Sequence, residues 1–137
     1  MNTQTRILVV DDDFTSRKVL CRHLENFGQI DSAASGKEAI EGVQKALETG
    51  EPYDLICLDI LMPELDGQLV LQTIRELETK NGIAPGKGAK IIMTTCLDDA
   101  KNIMQAFRSQ CEAYLVKPIT KEALAKEVEA LGFKELA

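Results

Sequence analysis

Apolar residues along the chain fall into two rhythms. Short continuous runs read as five strands: ILVV (7–10), the weaker IDSAA (30–34), DLICL (54–58), KIIMTT (90–95) and AYLV (113–116). Between and after them, apolar positions recur at helical spacing. Leu20, Leu24 and Phe27 form one stripe, stopped by Gly28. Ile40, Val43 and Leu47 form a second, and Ser35 with Glu38 has the S-x-x-E spacing of a capping box at its start. Val70, Ile74 and Leu77 follow Gly67, and Ala100, Ile103, Met104 and Phe107 make a fourth stripe. Leu124, Val128 and Leu131 make a fifth, starting at Thr120.

Alternation of this kind predicts an α/β domain with a parallel sheet covered by helices on both faces. The unbroken apolar runs fit strands buried on both sides. At 137 residues the chain has room for one substantial core, so a single domain over 1–137 is expected. One loose segment, ETKNGIAPGKGAK (78–90), joins the third helix to the fourth strand. A helix-to-strand connection belongs at the amino end of the sheet, and the segment reads as a tolerated insertion.

In open parallel sheets, sites form beyond the carboxyl ends of strands. There the predicted strands place Asp11-Asp12-Asp13 after the first, Asp59 at the third, Thr94-Thr95 at the fourth and Lys117-Pro118 after the fifth. Asp59 closes the apolar run Leu55, Ile56, Cys57, Leu58, where a charge is costly unless something pairs with it. Crowding Asp11, Asp12 and Asp59 raises their pKa values unless a cation intervenes. A hard divalent ion such as Mg²⁺ (or Mn²⁺) suits that oxygen-rich set and keeps waters for a phosphate ligand. Lys117 adds a point charge for phosphoryl oxygens, and a threonine hydroxyl adds a hydrogen bond. A carboxylate nucleophile, a metal and a lysine together make a site for phosphoryl transfer.

Composition narrows the picture further. Hydrophobic residues are 45% and charged residues 28% of the chain, ordinary values for a folded domain. A net charge of −6 argues against nucleic acid as a partner of the surface as a whole. No segment approaches the roughly 20 apolar residues that span a bilayer, so no membrane role and a cytoplasmic location are expected. Cys21, Cys57, Cys96 and Cys111 lack metal-ligand spacing and read as small apolar residues.

The stretches ILVVDDD, CLDILMPELDG, IIMTTCLDD and AYLVKPI, in this order, resemble the receiver domain of two-component response regulators. The resemblance implies a flavodoxin-like, doubly wound five-stranded parallel sheet of order 2-1-3-4-5 with five helices. It implies that Asp59 is the phosphoacceptor and that Mg²⁺ is held by Asp11, Asp12, Asp59 and the backbone carbonyl of Leu61. Thr95 and Lys117 match the residues that contact the phosphoryl group, and Tyr114 matches the aromatic switch. The backbone N–H of Cys96 is expected at the same group, and Lys117-Pro118 matches a peptide often cis in the family. A sensor histidine kinase or phosphotransfer protein would be the donor. A protein target would read the face made by helix four, strand five and helix five. The chain would then be a stoichiometric phosphoacceptor with self-catalysed transfer and dephosphorylation, not an enzyme in the usual sense. With Ala137 just past the last helix, no output domain is expected. The family implies a monomer, able to pair when phosphorylated.

Plainer roles fit several neighbours. Asp13 reads as the cap of the first helix rather than a metal ligand. Thr94 points to the opposite face from Thr95, and the choice of Thr95 rests on the resemblance. His23 reads as a helix-surface residue. Leu61 and Leu97 flank the site, where apolar side chains could restrict an attacking water. An aspartyl phosphatase of the haloacid dehalogenase type would need a second acid where Leu61 stands. A receiver that binds partners without phosphate is the remaining alternative.

Overall fold

The structure is a computed structural model and describes residues 4–62, 64–96 and 100–136. Five strands alternate with five helices: β1 (Arg6–Val10), α1 (Phe14–Leu24), β2 (Gln29–Ala33), α2 (Gly36–Glu48), β3 (Leu55–Asp59), α3 (Gly67–Lys80), β4 (Lys90–Thr95), α4 (Ala100–Arg108), β5 (Ala113–Val116) and α5 (Lys121–Ala130). The strands form one parallel sheet in the order β2-β1-β3-β4-β5. The order reverses direction between β1 and β3, so their carboxyl ends flank the crevice where doubly wound sheets hold ligands.

Strand periodicity sorts the core into two halves. Leu8, Val10, Ile56, Leu58, Ile91 and Met93 point to one face, where Ala39, Val43, Val70, Ile74 and Ala106 of α2, α3 and α4 cover them. Ile7, Val9, Leu55, Cys57 and Ile92 point to the other, under Leu20 and Leu24 of α1 and Leu124 and Val128 of α5. All five residues of β3 are buried, as a central strand in such a sandwich must be.

Helix starts carry their own stop signals in reverse. Asp13, Ser35, Asp66 and Thr120 are N-caps whose side chains accept the backbone N–H of Ser16, Glu38, Leu69 and Ala123. Asp13 is thus engaged by the first helix, in the role the sequence favours. Gly67 opens α3 hard against β3: a Cβ there would run into the carbonyl oxygen of Asp59. Its N–H donates to the carbonyl of Ile60 at 2.9 Å, so the absence of a side chain lets α3 start directly beneath the strand end.

Two expectations change. β2 begins and ends one residue earlier than the apolar run suggests. In α4, Ile103 is half-buried, Met104 is 54% and Phe107 47% exposed, and Ala106 is buried. Small Ala106 allows α4 to sit close, and hydrogen bonds from α3 to both ends of the helix orient it, which leaves the large apolar side chains outside. Finally, α3 runs to Lys80, so the loose segment is shorter than 78–90, and its end is fastened. Glu78 is buried, accepting the N–H of Ala89 at 2.7 Å and a bond from Arg75 at 2.7 Å. Arg75 also reaches Glu112 at 2.9 Å, and Glu112 accepts the N–H of Ile91.

Candidate functional site

The carboxyl ends of β1, β3 and β5 bring four of the expected side chains into one place. One carboxylate oxygen from each of Asp11, Asp12 and Asp59 lies within 4.8 Å of the others. Asp11 and Asp59 are buried, 0% and 3% exposed, and Asp12 is open to solvent. The Lys117 ammonium crosses from β5 to the Oδ2 of Asp11 at 2.9 Å and the Oδ2 of Asp59 at 3.3 Å. The Lys117–Pro118 peptide is cis, as the resemblance implies.

The remaining acceptor atoms are only lightly used. Asp11 Oδ1 accepts the N–H of Asp13 at 2.9 Å, and Asp59 Oδ1 accepts the N–H of Leu61 at a long 3.3 Å. Three carboxylates against one lysine leave the cluster net negative. Burial pushes the Asp59 carboxyl up to about 6, with Asp11's charge adding to it while Lys117 and the Leu61 N–H pull it back. Burial works against the Lys117 ammonium, but its bonds to Asp11 and Asp59 and their charges outweigh that and raise its pKa. A set of under-compensated oxygens of this kind fits a hard divalent cation, and Asp11, Asp12 and Asp59 are the side chains that could hold one.

Thr95 closes β4, fully buried, with its carbonyl accepting the N–H of Lys117 at 2.7 Å. It shares the α2–α3–α4 face with Met93, whose partner in β5 is the half-buried Tyr114. Thr94 is the register partner of Asp59 and lies on the opposite face from Thr95. Its hydroxyl is buried and has no hydrogen-bond partner among the described residues. Cys96 is exposed just beyond β4, and Leu61 is half exposed just beyond β3. Leu97 lies outside the described residues.

Two contributors are not visible in the strand-end pattern. Arg17 of α1 donates to the carbonyl of Asp11 at 2.7 Å, bringing a second cation to the rim. Gly67 sets the approach of α3 to Asp59. Arg17 sits one turn beyond the Asp13 cap, and only the fold of that turn shows where its guanidinium goes.

Known proteins resemble this chain in sequence and fold. The family model for the response regulator receiver domain matches residues 7–129. The transcriptional regulatory protein ResD of Bacillus subtilis is 39% identical over 130 residues, which are 93% of this chain and 48% of ResD. The osmosensing histidine protein kinase SLN1 of Saccharomyces cerevisiae is 32% identical over 89% of this chain and 10% of its own length. The chain thus spans about half of ResD and a tenth of SLN1. Among solved structures, the receiver domain of the Arabidopsis thaliana histidine kinase CKI1, complexed with Mg²⁺ and BeF₃⁻, superposes with a TM-score of 0.77 at 32% identity. That match covers 92% of this chain and 90% of the other. The CheX–CheY–BeF₃–Mg²⁺ complex of Borrelia burgdorferi has a TM-score of 0.78 at 28% identity, covering 95% and 90%. A parallel sheet of order 2-1-3-4-5 and a family match over nearly its whole length thus lead to one conclusion: this chain belongs to the response regulator receiver domains of two-component signalling.

Proposed function

We propose that the chain is a phosphorylation-controlled switch in which Asp59 accepts a phosphoryl group from a phosphohistidine donor. The observation that carries this reading is the meeting of Asp11, Asp12 and Asp59 within 4.8 Å, with Lys117 bonded to two of them. In the transfer, an Asp59 oxygen forms a bond to phosphorus as the nitrogen–phosphorus bond of the donor breaks, and the released imidazole takes up a proton. Asp59 must be ionised to attack, which its carboxyl is above about 6.

Lys117 keeps the Asp59 carboxylate charged and in place, and then neutralises phosphoryl oxygens. Asp11, Asp12, Asp59 and the carbonyl of Leu61 would hold Mg²⁺ (or Mn²⁺). The ion would supply charge compensation for the phosphoryl oxygens and alignment of the donor. The Thr95 hydroxyl and the Cys96 backbone N–H complete the receiving group. Tyr114, on the same sheet face as Thr95, links it to the surface of α4, β5 and α5. One phosphoryl group is taken per chain and later lost to water, which breaks the Asp59 oxygen–phosphorus bond.

A sensor histidine kinase or a phosphotransfer protein is the donor in this reading. The output is a protein target on the α4–β5–α5 face, where Met104, Phe107 and Val116 stand exposed. Binding of beryllofluoride, a phosphoryl mimic, tests the site. A bound fluorine NMR signal that needs Mg²⁺ and disappears in Asp59→Asn is expected. A signal unaffected by the substitution would remove Asp59 from the reading.

A further inference from the structure

Helix α1 separates two grooves of different character. Toward Lys117 and Pro118 it presents Thr15, Ser16, Val19 and Leu20, next to the acidic cluster. Toward the edge strand β2 it presents Phe14, Arg17, Lys18 and Arg22, with Ile30 and Ser32 of β2 across the groove. Glu25 is the one carboxylate among the lining residues. The Phe14 ring is 62% exposed, and the cationic groups of Arg17 and Lys18 each lie 5.6 Å from its centroid. Among the described residues, no carboxylate lies within 4.0 Å of the Arg17, Lys18 or Arg22 cation. Arg17 is committed to the carbonyl of Asp11, so Lys18 and Arg22, both exposed, are the cations left for a ligand. A strip of unpaired cations on a chain of net charge −6 selects an anionic partner.

The strand side fixes the form of that partner. β2 ends the sheet and, among the described residues, pairs with β1 alone. The Gln29 N–H donates to the carbonyl of Thr5 at 2.8 Å, and the Ala33 carbonyl accepts the N–H of Asp11 at 3.2 Å. The backbone of Gln29, Asp31 and Ala33 therefore faces β1, and the N–H and carbonyl groups of Ile30 and Ser32 point off the edge. The strand contains no proline, and its one acid, Asp31, lies on the other face, held by Arg6 and Tyr53. Lys18 and Arg22 stand about 6 Å apart along the helix axis. Alternate residues of a strand stand about 6.6 Å apart, which matches that spacing.

We propose that the β2 edge and the α1 cations form a docking site for an extended acidic peptide segment of a partner protein. The segment adds as a sixth strand beside β2, bonded to the backbone of Ile30 and Ser32. Every second side chain, a carboxylate, then turns toward Lys18 and Arg22. An anion without an extended backbone would meet the cations alone, and a neutral strand the edge alone. The site lies across α1 from Lys117 and requires no phosphoryl group on Asp59.

The probe is a short capped peptide in which glutamate and threonine alternate, titrated into the full chain at low ionic strength and followed by amide NMR. Shifts concentrated in β2 and α1 are expected, with slower exchange of the Ile30 and Ser32 amides. Lys18→Glu combined with Arg22→Glu should weaken binding by about tenfold or more. Methylating the peptide nitrogens that face the edge should abolish it. No shifts up to the solubility of the peptide would overturn the proposal. So would unchanged exchange at Ile30 and Ser32, equal binding of the N-methylated peptide, or unchanged binding by the double variant. A short oligothymidylate that reproduces the peptide's shifts would make the strip a nucleic-acid surface and overturn it as well.

Discussion

The Lys117 ammonium lies 3.3 Å from the Asp59 carboxylate although 58 residues separate them, and the same nitrogen reaches Asp11 at 2.9 Å. One cation thus spans two buried anions whose third neighbour, Asp12, is open to solvent. The site is therefore short of positive charge before any ligand arrives, and most of its expected behaviour follows from that imbalance.

The first consequence is for Lys117 itself. Lys117→Met leaves Asp11 and Asp59 buried without their cation. Urea unfolding at neutral pH without divalent ions should show a loss of about 1–3 kcal/mol, below the full cost of breaking a buried pair because the lysine is partly exposed. Added Mg²⁺ should return part of the loss in this variant. Lys117→Arg, which keeps the charge, should lose less. Equal stability of parent and Lys117→Met would show that the lysine does not balance these carboxylates.

The pH dependence of the metal-free protein follows from Asp59. Its folded carboxyl titrates at about 6, above the ordinary carboxyl value of 3.8, so the folded chain binds more protons between those values. Stability contributed by this group therefore falls as pH rises through that window. Asp59→Asn removes the penalty. It should stabilise the metal-free chain by about 1–2 kcal/mol at pH near 8 and by almost nothing at pH near 4. Thermal unfolding of both proteins across this range checks the sign.

Mg²⁺ binding should carry the complementary signature. A cation on Asp59 favours the ionised carboxylate, so affinity should weaken as pH falls through about 6. Calorimetry near pH 6 in buffers of different ionisation enthalpy should detect proton release on binding. Binding with no proton release there and no change in affinity with pH would place the ion away from Asp59.

Two of the crowded glycines, Gly67 and Gly88, separate structure from site. A side chain at Gly67 collides with the backbone of Asp59, and one at Gly88 collides with the carboxylate of Glu78. Each alanine substitution should destabilise by about 1–3 kcal/mol, as overpacking does. Gly67→Ala should also weaken beryllofluoride binding because it displaces the strand end, while Gly88→Ala should leave that binding unchanged.

Much of the fold and of the acidic cluster was legible in the sequence. Continuous apolar runs mark strands buried on both faces, and in a parallel sheet the residues ending them must gather at one edge, as Asp11, Asp59 and Lys117 do. The helix faces were harder to read. Met104 and Phe107 have helical spacing yet point to solvent, because periodicity locates a stripe without saying what packs on it. Gln68 and Glu78 are the converse: polar residues on an amphipathic helix that are buried by partners distant in the chain, Asn102 for one and Ala89 for the other. Arg17 was missed for a similar reason, since its partner is a backbone carbonyl that no sequence pattern displays.

The most direct test of the central claim is the intact mass of the protein after incubation with Mg²⁺ and a small phosphodonor. Acetyl phosphate and phosphoramidate would be tried in parallel, with Asp59→Asn as control. A gain of one phosphoryl group that requires the metal and is absent from Asp59→Asn is the predicted result. The same gain in Asp59→Asn, or no gain with either donor in a folded protein that binds Mg²⁺, would contradict it.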